Sequence, residues 1–509
     1  MVTDNNRPIF MLMTTLNVGV LAAALLAIAC GTLVSCKTDV RPDLVLVTVD
    51  TFRADHLGCY GYFRNTTPFL DSLANDGIIF ENAIAASSTT VPSHATILSG
   101  LHPSQHGART NGELVRSGVR TVAEILSVSG YQTAAFVSTS ANFRPAGLDR
   151  GFHCFEDPGS QGDKTGIFAA RTTVDRAIEW VSREEDDQPL FLWIHLWDPH
   201  TPYQPEQMFT DRNETEAEQF VEFMLRERCA DLGFFDGDPW KLRTVMDAYD
   251  GEVKAVDDAV RDLFDHIGKL RRRPAVWVVT GDHGEGLGNH DWFLHGRYLY
   301  REQLHVPLIV HATDDRFPCS RISTPAAHSD IFPTLLELAG CPVGGSSDYR
   351  AGRSLLPLLM TESQRDHRLT FSERRRFGRP PARGPGHDPE ISVESPVGRE
   401  LYDSEDQRQA YVARLIRRHL ADNFEIGQAF AVTDERYTLI HRTELEDLFF
   451  DRSLDPCERH NLSGTNSVAE NRFRERLAEI LTVLAESAQD AELADPEVLE
   501  QLRSLGYVP

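Results

Sequence analysis

Three short segments carry residue types that could build one reactive centre. An apolar run from Leu44 to Val49 ends on Asp50. A second apolar run ends in Thr280-Gly281-Asp282-His283-Gly284, which sets a carboxylate beside an imidazole. Between them stands Thr89-Thr90-Val91-Pro92-Ser93-His94. Two carboxylates and an imidazole suit a divalent metal. A hydroxyl held on such a metal gives up its proton more readily and becomes a nucleophile. Asp50, Thr90, Asp282 and His283 are therefore the predicted metal ligands, with Thr90 also the predicted nucleophile. Pro92 suits the first turn of a helix. That places Thr90 just ahead of a helix N-terminus, where backbone N–H groups favour an anion.

Further polar residues cluster near these segments in sequence. His200 and His295 are candidates to bind the oxygens of an ester or to protonate its leaving group. His94 is a candidate substrate contact. Asp198, His200 and His295 also make an alternative set for a second metal. His290 is a weaker candidate, and His195 sits inside an apolar run and reads as core. Arg53 and Asp55 read as braces of the first loop, and His106 as a support from behind.

Such residues need a rigid frame. Leu44 to Val49, Thr133 to Val137, Leu190 to Leu196, Ala275 to Thr280 and Val306 to Val310 read as buried strands. Val253, Val256, Val260, Leu263 and Ile267 recur at spacings of three and four, one face of an amphipathic helix. Strands alternating with helices predict an α/β fold, a largely parallel mixed sheet between helices. Each reactive segment then lies at the carboxyl end of a strand, where open α/β sheets bind ligands. Residues 40–365 read as this domain. Residues 366–425 read as a loop-rich insertion, since 373–389 are rich in Arg, Pro and Gly, with Arg374-Arg375-Arg376 at the start. Residues 426–509 read as a small α+β subdomain, with strands near Gln428 to Val432 and Tyr437 to His441. A helix follows that carries Phe473, Leu477, Ile480, Leu481 and Leu484 on one face.

Asp50-Thr-Phe-Arg-Ala-Asp-His-Leu-Gly-Cys-Tyr-Gly61, Thr90-Val-Pro-Ser-His94 with Leu98-Ser-Gly100, and Thr280-Gly-Asp-His-Gly-Glu285 resemble the signature blocks of the sulfatase-like branch of the alkaline phosphatase superfamily. His195-Leu-Trp-Asp-Pro-His200-Thr-Pro-Tyr203, Tyr249-Asp-Gly-Glu-Val253 and His328-Ser-Asp-Ile-Phe-Pro333 resemble later blocks. The resemblance implies an alkaline-phosphatase-like fold and hydrolysis of a sulfate or phosphate ester. Most sulfatases carry Cys or Ser at the position of Thr90, which is oxidised to formylglycine. The methyl on the Thr β-carbon rules out an aldehyde there, so no formylglycine is expected. His94 replaces the usual Arg, and Thr51 the usual second Asp. The set Asp50, Thr90, Asp282 and His283 resembles the site of lipoteichoic acid synthases and phosphoethanolamine transferases, which use an unmodified Thr. That implies one divalent metal, with manganese or zinc favoured over calcium, and keeps a phosphoryl transferase or phosphodiesterase of envelope glycans or lipids as an alternative. A catalytically inactive glycan-binding relative is the other alternative.

The formal net charge of −25 argues against nucleic acid as a partner. A sulfated or phosphorylated small molecule, glycan or lipid head group is the expected substrate. Residues 1–36 read as an export signal. An apolar run ends in Leu33-Val34-Ser35-Cys36, similar to a bacterial lipobox, with lipidation expected at Cys36. An uncleaved single-span anchor is the alternative. Either way the chain is expected to be exported and membrane-tethered. Six cysteines beyond the signal allow one or two disulfides in an oxidising compartment.

Overall fold

Each apolar run named above forms a strand, and register then decides what meets at their ends. In a computed structural model, the described residues are 41–487, apart from 141, 164–165, 185–187, 202, 210–238, 292–293, 342–351, 361–367, 376–426 and 466. They belong to one compact unit, Pro42–Pro509. The expected export signal and Cys36 lie outside the described residues. Among those described, no helix is long and apolar enough to cross a membrane.

In chain order the strands are β1 (Asp43–Val49), β2 (Ile78–Phe80), β3 (Ala83–Ile84), β4 (Gln132–Val137), β5 (Cys154–Glu156), β6 (Leu190–Leu196), β7 (Ala275–Gly281), β8 (His305–Val306), β9 (Leu308–Ala312) and β10 (Ser320–Ile322). They continue with β11 (Ala326–Ala327), β12 (Thr370–Arg374), β13 (Ala429–Thr433), β14 (Tyr437–Arg442) and β15 (Leu448–Asp451). The main sheet runs β10-β2-β9-β7-β1-β6-β4-β5. Its pairs are parallel except those made by β9, which is antiparallel to β2 and β7. The predicted strand Val306 to Val310 is in fact two, split between β8 and β9.

Strand β1 lies at the centre, buried on both faces, as a continuous apolar run should be. Leu44 and Leu46 face one core, and Val45, Val47 and Val49 the other. The first core is covered by α1 (Thr90–Ser99), through Val91, Ala95 and Leu98. The second is covered by α2 (Ala170–Val181) and α3 (Pro239–Leu270), with Val253, Val256, Val260, Leu263 and Ile267 all buried there. Helix α4 (His328–Leu338) returns to the first face through Ile331 and Leu335.

A four-stranded antiparallel sheet, β12-β13-β14-β15, forms the second layer system. Ala429, Ala431, Ile440 and Phe450 join the main core. Phe430, Val432, Leu439 and Phe449 pack with Phe473, Leu477, Ile480 and Leu484 of α5 (Val468–Ser487). One expectation needs correction. Strand β12 falls inside the stretch read as a loop-rich insertion, yet it is wholly buried and pairs with β13, Phe371 opposite Val432. Its polar residues hid it. They face other polar groups rather than solvent, so no alternation shows in the sequence. Residues 376–426 lie outside the described residues.

Candidate active site

The β1–β7 register pairs Val49 with Gly281, so the next residues, Asp50 and Asp282, leave adjacent strand ends. The ladder continues one step beyond each strand. Asp50 N–H donates to Leu196 O (2.9 Å) and Asp282 N–H to Val49 O (3.0 Å). Asp50, Asp282 and His283 each offer an atom within 4.8 Å of the others, and all three are buried. His283 Nε2 is 3.5 Å from Asp282 Oδ2 and 3.8 Å from Asp50 Oδ1. Thr90 Oγ1 lies 3.4 Å from that same nitrogen. Four side chains from three separate segments thus converge.

The two glycines around the Asp-His pair serve close approach rather than an unusual turn. A Cβ on Gly281 would stand 2.7 Å from Phe52 O, and one on Gly284 2.0 Å from Glu302 O. Thr51 adopts φ 50°, a strained conformation for a β-branched residue. Three bonds hold it: Thr51 N–H to Asp282 Oδ1 (3.1 Å), Thr51 Oγ1–H to Pro199 O (3.1 Å) and Tyr249 O–H to Thr51 O (2.8 Å).

Thr90 is the first residue of α1, one position inside the helix rather than ahead of it. Asn111 Oδ1 accepts from Val91 N–H (2.8 Å), which satisfies one of the unpaired donors at the helix start. His94, the candidate substrate contact, is fully buried, with Nδ1 3.7 Å from Asp282 Oδ2. Its Nδ1–H donates to Thr90 O (2.8 Å) and its Nε2 accepts from Thr48 Oγ1–H (3.0 Å). The Thr48 hydroxyl in turn accepts from Trp193 Nε1–H (3.0 Å). Burial pushes His94 down to about 3, so it is neutral and acts by positioning the Thr90 turn.

The charges fit a cation. Asp282 Oδ2 is buried with no hydrogen-bond partner. Burial, and Asp50 beside it, push the Asp282 carboxyl well above the usual range. A buried carboxylate pair is costly until a cation neutralises it. Burial also keeps His283 neutral, the form that ligates metal. Two carboxylates, an imidazole and a hydroxyl are donors that suit a divalent cation.

His295 and His200 stand at one side of this cluster. The His295 ring centroid is 4.6 Å from that of His283 and 4.9 Å from that of His200. His295 Nδ1–H donates to Glu285 Oε1 (3.2 Å). Burial opposes charge on His295, but the Glu285 carboxylate outweighs it and raises the imidazole above its usual range. Burial and the His295 ring hold His200 well below its own. The two candidates thus differ in direction: Glu285 raises His295, and burial lowers His200.

Of the alternative second-metal set, Asp198 makes a bond to the backbone. Asp198 Oδ2 accepts from Ala170 N–H (2.7 Å) at the start of α2. Among the described residues only Asp50, Asp282 and His283 form a group with metal-binding spacing. His290 is spent on Glu302 (2.9 Å) and Glu458 O (3.0 Å). His106 Nε2 lies 3.2 Å from Thr96 Oγ1 within α1, and Arg53 braces Asp55, Glu285 O and Asn289. His195 is fully buried at 3.8 Å from Asp50 Oδ2, so the strand interior supports the cluster directly. The described cysteines Cys59, Cys154, Cys319, Cys341 and Cys457 are all free thiols.

Residues 42–341, more than half of the chain, match the sequence profile of the Sulfatase family. The chain belongs to the sulfatase family. It is 25% identical to an N-acetylglucosamine-6-O-sulfatase of Bacteroides thetaiotaomicron, over 67% of this chain and 75% of that one. Among solved structures, a 2-O GAG sulfatase superposes with a TM-score of 0.62 at 20% identity, covering 90% of this chain and 96% of the other. A phosphonate monoester hydrolase of Agrobacterium radiobacter superposes with a TM-score of 0.59 at 19% identity, covering 87% and 96%. The fold is therefore the alkaline-phosphatase-like α/β fold of the sulfatases, with its large mixed sheet and separate C-terminal antiparallel sheet.

Proposed function

We propose that this sulfatase-family chain is a metal-dependent hydrolase of sulfate esters that uses unmodified Thr90 as its nucleophile. The observation that carries the reading is the 3.4 Å approach of Thr90 Oγ1 to His283 Nε2, inside the cluster completed by Asp50 and Asp282. A divalent cation held by those four residues would stabilise the Thr90 alkoxide and draw charge from an ester oxygen.

The chain's own groups supply the rest. Thr90 Oγ attacks sulfur in line, and the bond from sulfur to the leaving oxygen breaks with its electron pair. His295 gives that oxygen its proton, with Glu285 holding Nδ1 and leaving Nε2 to transfer. A sulfo-threonine remains. Water then attacks its sulfur, His295 takes back a proton, and Thr90 departs as the oxyanion it was. His94, tied to the Thr90 carbonyl, keeps the nucleophile's turn in register.

Sulfated glycans are the expected substrate class, since a relative is named as an N-acetylglucosamine-6-O-sulfatase and a fold neighbour as a 2-O GAG sulfatase. A second reading, hydrolysis at phosphorus, is favoured by Thr90 itself, which cannot become an aldehyde, and by the likeness to a phosphonate monoester hydrolase. Export and tethering through Cys36 would place the site outside the cytoplasm, and labelling with a radioactive fatty acid tests that. The functional test is a panel of aryl sulfate, phosphate monoester and phosphate diester, titrated with manganese, zinc and calcium. Metal-stimulated release of sulfate that vanishes in Thr90→Ala supports the proposal. Turnover of the phosphate esters alone moves the reading to phosphorus, and full activity in Thr90→Ala ends it.

A further inference from the structure

The residues between Glu285 and His295 form a loop whose neck is the proposed acid and its anchor. Gly286 N–H donates to Leu294 O (3.2 Å), which brings Glu285 and His295 together at the base, where His295 Nδ1–H meets Glu285 Oε1. Arg53 fixes the first side of the loop, with Nη1–H bonds to Glu285 O and Asn289 Oδ1 (2.9 Å each). The tip is His290, and its partners come from elsewhere in the chain. It donates from both ring nitrogens, Nδ1–H to Glu302 Oε1 (2.9 Å) and Nε2–H to Glu458 O (3.0 Å). Its ring also stacks on Tyr300, with 3.7 Å between centroids and 2° between planes.

Glu458 belongs to the C-terminal subdomain, in the turn after β15, 168 residues from His290. It is buried, and its Oε2 accepts from Arg301 N–H (2.8 Å) at the start of the short helix Arg301–Leu304. That helix also meets the segment carrying the metal ligands, since Gly284 N–H donates to Gln303 O (2.9 Å). One turn of the C-terminal subdomain therefore grips both the loop tip and the helix against which Asp282-His283-Gly284 rests. The backbone at this contact is strained on both sides. His290 adopts φ 49° and Glu458 φ 53°, left-handed values that a residue with a Cβ adopts only at a cost. Such strain persists where the surroundings fix the geometry. Here two strained residues are bonded to each other, one in the acid's loop and one in the turn that holds it.

We infer that Glu458 is a positioning residue for the reaction: through Arg301 and His290 it locks the tip of the 286–294 loop, and the locked loop holds His295 against Glu285. The C-terminal subdomain thereby sets the aim of the proton donor from outside the site. This inference rests on the proposed function, because it takes His295 as the acid. Slackening the clamp should impair protonation of the leaving oxygen. It should leave Asp50 and Asp282 in place, since the β1–β7 register sets them.

Full-length, metal-loaded Glu458→Ala and Glu458→Gln proteins test this. In the first, Arg301 N–H loses its acceptor. In the second, an amide oxygen can still take that bond. Glu458→Ala should lower kcat for an alkyl sulfate about tenfold or more, and for 4-nitrophenyl sulfate by less than about threefold, with KM unchanged for both. Glu458→Gln should recover most of the loss. His290→Ala should give the same pattern as Glu458→Ala and guards against a variant that does not fold, with thermal melts as the check. Equal losses for the two sulfates, or a Glu458→Gln protein as slow as Glu458→Ala, overturn the inference. Hydrogen exchange read by mass spectrometry is independent of turnover. In both alanine variants, peptides covering 286–294 should exchange at least about tenfold faster than in the parent, and peptides of β1 at the parental rate. Parental protection of 286–294 overturns the clamp even if kcat falls. If the parent hydrolyses no sulfate ester, or His295→Gln shows no dependence on the leaving group, the catalytic reading fails instead, and hydrogen exchange still decides the clamp.

Discussion

The floor of this site and its wall are built by different means. The floor is Asp50, Asp282 and His283, delivered by two neighbouring parallel strands whose register fixes the spacing of their ends. The wall is His200 and His295, delivered by loops. Floor residues depend on backbone pairing between buried apolar strands, which a surface change barely disturbs. Wall residues depend on single side-chain anchors, such as Glu285 for His295. In the proposed mechanism the first carries the metal ligands and the second the proton donor.

Substitutions can break this contrast or sharpen it. The largest effect belongs to the nucleophile that faces the floor: Thr90→Ala should lower kcat by about a thousandfold or more, with an unchanged melting temperature. A wall change should cost less and depend on the substrate. His295→Gln should slow hydrolysis of alkyl sulfates by about a hundredfold or more, and of 4-nitrophenyl sulfate much less, because a good leaving group needs no proton. An equal loss for both substrates would deny His295 the role of acid.

Smaller effects probe the supports. Thr48→Val strips the hydroxyl shared by Trp193 and His94 and leaves both buried rings short of a partner. It should cost about 1–3 kcal/mol of stability in a denaturant titration, and lower kcat with little change in KM, since His94 would no longer fix Thr90. The smallest effect concerns His290. Burial opposes charge on His290, but Glu302 at 2.9 Å outweighs it and raises His290 to about 9. A raised folded value means the contribution is full below the unfolded value of about 6.5 and fades as pH rises through about 9. Between those limits the protein should lose about 1–2 kcal/mol, and His290→Ala should flatten that part of the stability curve.

The floor was legible because each ligand ends or follows an apolar run, and apolar runs mark buried strands. Thr90 was legible through Pro92 and through the likeness of its segment to known blocks. The role of His94 was not, because its partner Thr48 lies 46 residues away on β1, and nothing in a sequence announces that contact. Asn111 and Tyr249 were missed as supports for the same reason. The difference between His200 and His295 was closed to the sequence as well, since Glu285 lies against the His295 ring. Strand β12 escaped because Ser372, Glu373 and Arg374 bury polar groups against polar partners, a pattern that composition reads as loop.

The central claim is that Thr90, Asp50, Asp282 and His283 share one cation. Crystals grown with manganese, measured at its absorption edge, test this most directly. A single anomalous peak should lie about 2.0–2.3 Å from an oxygen of each carboxylate, from His283 Nε2 and from Thr90 Oγ1. A peak elsewhere, or one at these carboxylates with the Thr90 hydroxyl beyond about 4 Å, would contradict the account.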